Sequence, residues 1–82
     1  MQFDTRAVGK IIRTIRRNRG LSQEVLSGLA GIARTHLTMI ENGTKQPNLE
    51  TVWKIALAFD MMPSDLLKLV ETETQHTPNQ ND

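Results

Sequence analysis

Residues 20–59 read GLSQEVLSGLAGIARTHLTMIENGTKQPNLETVWKIALAF, and glycines and polar caps cut this stretch into short helices. Gly20 supplies a left-handed helix stop, after which Leu21 folds back on the core. Ser22 caps the next helix, with Gln23 and Glu24 in its first turn and Val25, Leu26 and Leu29 as its apolar groups. Gly31 ends it, and Gly28 inside it costs ~1 kcal/mol relative to alanine. After the turn Gly31-Ile32-Ala33, with Ile32 turned inward, a further helix covers residues 34–42. Leu37 and Ile40 form its narrow inward face, so Arg34, Thr35, His36, Thr38 and Met39 point away from the core. Gly43 stops it and residues 44–47 form a polar loop. Asn48 caps a fourth helix that turns Val52, Ile55, Ala56 and Phe59 inward and carries Trp53 and Leu57, four residues apart, on another face.

Working outward, residues 5–20 form a first helix capped by Asp4 or Thr5. Val8, Ile12 and Ile15 make its apolar stripe, which Ile11 widens. Arg13, Arg16, Arg17 and Arg19 crowd its last turns, where cations suit the helix dipole. Beyond the connector Asp60-Met61-Met62, Pro63 opens a fifth helix, in whose first turn its missing N–H is not needed. Leu66, Leu67, Leu69 and Val70 make that helix apolar on more than one side. No apolar residue follows Val70, so residues 71–82, ETETQHTPNQND, read as a polar, disordered tail. The sequence thus predicts an all-α fold of five helices, one domain over residues 1–70, with no strand and no internal repeat.

Composition excludes several classes. At 82 residues the chain is one small domain, and 38% apolar with 23% charged residues is ordinary for a soluble globular chain. A domain of this size buries only ~60% of its unfolded surface, and with no cysteine to staple it, a partner subunit is the expected source of extra stability. There is no apolar run of membrane-spanning length and no apolar signal stretch in residues 1–10, so a cytoplasmic location and no membrane partner are expected. His36 and His76 alone provide no metal-ligand set. No nucleophile, base and orienting group come together, and no glycine-rich phosphate loop is present, so the chain reads as no enzyme, with no cofactor. Neither an effector domain nor a small-molecule ligand is expected. Charge is partitioned: residues 1–47 hold eight Lys/Arg against three acids, a net of +5, whereas residues 48–82 hold two against six, a net of −4. A basic half suits a polyanionic partner.

Helices two and three stand at helix-turn-helix spacing, which lets the second of the pair enter a DNA major groove. Their wording is more specific. Gly20-Leu21-Ser22-Gln23, Ala30-Gly31-Ile32, Ile40-Glu41-Asn42-Gly43 and Pro47 followed by Leu49-Glu50-Thr51 resemble the lambda-repressor-like (Cro-type, XRE) helix-turn-helix family over residues 6–70. The chain departs from the family pattern at Ala33, where a Ser or Asp cap is common, at Ser27 in place of Ala, at Asp60 in place of Gly and at Met62 in place of a Ser cap. The resemblance implies a five-helix domain that binds double-stranded DNA, usually as a homodimer, and regulates transcription.

The same resemblance assigns roles. Arg34, Thr35, Thr38 and Met39 match base-reading places; Arg34 suits bidentate contact with guanine, and Met39 offers only apolar contact. Gln23 matches a glutamine that holds a phosphate and braces the recognition helix, and a helix N-terminus is itself a phosphate site. Ser22, Arg19, His36, Asn42, Thr44 and Lys45 complete the expected phosphate set, positioning without reading sequence. Arg16 and Glu41 match an ion pair that ties helix one to helix three. Leu57, Met61, Met62, Leu66, Leu67, Leu69 and Val70 exceed what one four-helix core buries, and a leftover apolar patch on a small domain marks an interface. The function expected is a transcriptional regulator, repressor or operon controller, bound as a twofold dimer to a palindromic operator. The alternative is an antitoxin or adaptor-type interaction module built on the same fold.

Overall fold

The computed structural model describes residues 1–76. It contains α1 (Thr5–Asn18), α2 (Gln23–Ala30), α3 (Arg34–Glu41), α4 (Leu49–Ala58) and α5 (Pro63–His76), and no strand among the described residues. Three helix starts carry side-chain caps. Asp4 accepts from the Arg6 N–H, Ser22 from that of Val25 and Asn48 from that of Thr51. α3 starts at Ala33 without one. Gly20, Gly31 and Gly43 all adopt the left-handed conformation. Asp60 does so as well, at φ 57°, occupying the left-handed position that glycine fills at the other turns.

The helices close around Ile12, Leu26, Leu37, Ile40, Ile55, Phe59 and Leu66, all essentially inaccessible to water. Each such side chain contributes roughly 1.5–3 kcal/mol relative to exposure. α1 crosses α3 at Gly9, where the absence of a side chain lets the backbones approach. α2 packs on α4, and α5 returns against α1 and α4.

Two expectations need correction. Residues 71–76 are helical, extending α5 by more than a turn beyond Val70, while residues 77–82 lie outside the described part. Helix continues without apolar residues because the added turns bond to what is already folded. Lys10 Nζ of α1 donates to Glu73 Oε2 at 2.9 Å, and the Thr72 and Thr74 hydroxyls donate to the carbonyls of Lys68 and Val70. Second, Leu66 and Val70 are 1% and 7% exposed within the single chain. They fill its own core and leave nothing for an interface.

Candidate nucleic-acid interface

The site is built on Glu41. This carboxylate is buried at the end of α3, accepts hydrogen bonds from two side chains and has a third cation beside it. Arg16 grips it bidentately, Nε to Oε2 at 2.7 Å and Nη2 to Oε1 at 2.9 Å. Gln23 Nε2 donates to Oε1 at 3.0 Å, and the Arg13 guanidinium lies 3.5 Å from the same oxygen. Arg16 spends its remaining Nη1 on the Leu21 carbonyl at 2.8 Å. One buried acid therefore ties α1, the α1–α2 turn and the first residue of α2 to α3. Burial by itself raises the pKa of Glu41. The hydrogen bonds from Arg16 and Gln23, with the charges of Arg16 and Arg13, outweigh it and hold the carboxyl below its ordinary value. Arg16 is correspondingly raised, chiefly by its hydrogen bond to Glu41.

On the outer side of α3, Arg34, Thr35 and Met39 are exposed and His36 is half-buried. Thr38 differs from its neighbours. It is half-buried, and its hydroxyl lies 2.9 Å from Gln23 Oε1 and 3.0 Å from the Arg34 carbonyl. Ser22 caps α2 through its own Oγ. After α3, Asn42 is exposed with Oδ1 accepting from Arg13 Nη2 at 3.0 Å. The backbone N–H groups of Thr44 and Lys45, and the Thr44 hydroxyl, all donate to the Met39 carbonyl. Those donors close the end of α3 and are not free for a ligand, whereas the side chains of Lys45 and Gln46 are exposed.

The structure thus brings Ser22, Gln23, Arg34, Thr35, Thr38 and Met39 together on the α2–α3 side, with Asn42, Thr44 and Lys45 at the far end of α3. It does not bring Arg19 with them. The Arg19 guanidinium donates to the Phe59 carbonyl and stacks over the Phe59 ring at 5.4 Å, clamping the end of α1 to the end of α4. Sequence reading missed the parts of Arg13 and Gly9. The signal was present for Gly9, which shares a helical face with Ile12, Arg13 and Arg16 at spacings of three, four and seven. Of the expected interface set, Leu57, Met62, Leu67 and Leu69 are exposed and Met61 is half-buried. Leu49 and Trp53, two turns and one turn before Leu57 on α4, are exposed as well; Trp53 was expected on the face of Leu57, whereas the exposure of Leu49 was not foreseen.

The HTH_3 helix-turn-helix family model matches residues 12–67. The chain belongs to this helix-turn-helix family. It is 37% identical over 60 residues to the control protein C.BamHI of Bacillus amyloliquefaciens, covering 72% of this chain and 74% of that one. It is 30% identical over 71 residues to the HTH-type transcriptional regulator y4dJ of Sinorhizobium fredii, covering 87% of each. Among solved structures, the restriction-modification controller C.AhdI of Aeromonas hydrophila superposes with a TM-score of 0.73 at 34% identity, over 76% of this chain and 94% of that one. The chain spans only 31% of a longer Sinorhizobium fredii regulator that it also matches. As an HTH_3 member the chain has the DNA-binding fold of transcription regulators and is not an enzyme. No described helix is long and apolar enough to cross a membrane.

Proposed function

We propose that this helix-turn-helix protein is a sequence-specific regulator of transcription, working in the cytoplasm as a homodimer on an inverted-repeat operator. In this reading α3 lies in the major groove. Arg34, Thr35 and Met39 meet base edges, and Ser22, Gln23, His36, Asn42 and Lys45 flank the phosphates, while Thr44, its donors spent on the Met39 carbonyl, closes the end of α3. The observation that carries it is the Glu41 network, which fixes an otherwise exposed, cation-bearing helix face rigidly against the start of α2. Phosphate contacts supply affinity and register, and base edges supply discrimination. The dimer is supported by Trp53, Leu57, Met62 and Leu69, each between 42% and 66% exposed on α4, the α4–α5 turn and α5. A twofold axis there would set two recognition helices one DNA turn apart, about 34 Å.

The test is selection from a random duplex pool at moderate and high salt. Enrichment of an inverted repeat supports the reading and supplies the operator. Enrichment of a single half-site keeps DNA recognition and removes the twofold dimer. Weak, salt-sensitive binding with no enrichment turns the reading toward an interaction module of the same fold.

A further inference from the structure

The chemistry of Glu41 settles the orientation of a neighbouring amide. Glu41 is ionised and only accepts, so the group of Gln23 that lies 3.0 Å from it must be the NH2. The amide oxygen of Gln23 then faces Thr38, whose hydroxyl is 2.9 Å away. A flipped amide would set two oxygens against each other at the carboxylate. Thr38 has a single hydroxyl hydrogen to give. Its second acceptor, the Arg34 carbonyl at 3.0 Å, already belongs to the α3 backbone ladder. Gln23 Oε1 has no other partner among the described residues, so the bond from Thr38 is the one that completes its environment. Of the two Gln23 amide hydrogens, one is spent on Glu41 and one remains.

We infer that Thr38 is a positioning residue rather than a base reader: its hydroxyl locks the Gln23 side chain so that the remaining amide hydrogen is held ready for a DNA phosphate. This rests on the DNA-binding reading above and assigns one residue within it. It also explains why Thr38 is half-buried while Arg34, Thr35 and Met39 stand exposed on the same helix. A neutral amide neutralises no phosphate charge, so the contact should add affinity without steepening the dependence on salt.

The test uses Thr38→Val, which keeps the shape and removes the hydroxyl, and Thr38→Ser, which keeps the hydroxyl. In the free protein, the Gln23 side-chain NH2 pair is followed by NMR. Slow hydrogen exchange in the wild type and in Thr38→Ser, lost in Thr38→Val, supports the lock; an unchanged pair in Thr38→Val overturns it. On DNA, Thr38→Val should weaken binding about two- to tenfold, the size of one hydrogen bond, and equally on operator and unrelated duplexes. The slope against salt should not move. In a Gln23→Ala background, Thr38→Val should have no further effect. Altered preference at one base pair, or additive losses in the double variant, overturns the assignment and makes Thr38 a direct reader. Wild-type protein that binds no duplex while its Gln23 amide is protected overturns the DNA-binding reading itself.

Discussion

An added methyl group at Gly9 would fall inside contact distance of the Ile40 carbonyl oxygen and 2.8 Å from that of Glu41. Both neighbours are backbone at the end of α3, so neither yields cheaply. Gly9→Ala should cost about 2–3 kcal/mol, as overpacking in a closed site does, and lower the melting temperature by roughly 8–20 °C. Gly28→Ala, where nothing lies within 4 Å of the new carbon, should instead stabilise by about 0.4–1 kcal/mol. Both are glycines inside helices; Gly9 shares a face with Ile12, and the fold shows what that face meets. On the DNA face, Arg34→Ala should lose about 1–3 kcal/mol of operator binding and relax preference at one position. Lys45→Ala should weaken every duplex alike and flatten the salt slope by about one unit. Salt-series titrations against operator and scrambled duplexes check both. A uniform loss for Arg34→Ala would move that side chain to the backbone contacts.

Helix starts and stops were legible because they depend on neighbours in the chain. Ser22 and Asn48 cap by reaching three residues ahead, and Gly31 and Gly43 stop helices by their own backbone freedom. The end of α5 was not legible. Residues 71–76 contain no apolar group, and the Lys10–Glu73 pair that holds them joins positions 63 residues apart. The Arg16–Glu41 pair was legible only through the family resemblance; Arg13 and Thr38, which join the same network, carry no local signal of it. α3 lacks a side-chain cap at Ala33, so Ala33→Ser should stabilise the domain by about 1 kcal/mol, read as a shifted urea midpoint at constant m-value. A pH series probes the network that holds this element. The folded pKa of Glu41 is depressed. Its contribution is therefore complete above the unfolded value of about 4.3 and is lost as pH falls through the lower folded value. Melting temperature should drop through that acidic window. Glu41→Gln should start lower, having left Arg16 buried without its anion, and lose much of the added slope.

For the molecule as a whole, the question is what covers the outer side of α4 and α5. Leu57 and Leu69 are 59% and 42% exposed. Leu69→Glu should shift the protein toward a monomer in sedimentation velocity and weaken operator binding while leaving half-site contacts intact. An unchanged dimer would place the twofold axis elsewhere. Leu66→Glu should fail differently, by unfolding, because Leu66 is 1% exposed inside the chain's own core. Sequence periodicity put these two leucines in one group, since α5 is apolar on more than one side. Only the packing of α5 against α1 and α4 divides them.

Trp53 lies on that same outer side, 52% exposed. It is the one tryptophan of a chain without tyrosine, so the protein's near-ultraviolet emission comes from a single known position. α4 carries none of the residues proposed to touch DNA. A second copy settling over α4 would move the emission to shorter wavelength and shield it from a dissolved quencher, whereas occupation of α3 by a duplex would leave it unchanged. Assembly and DNA engagement can thus be followed as two separate optical signals in an unlabelled sample.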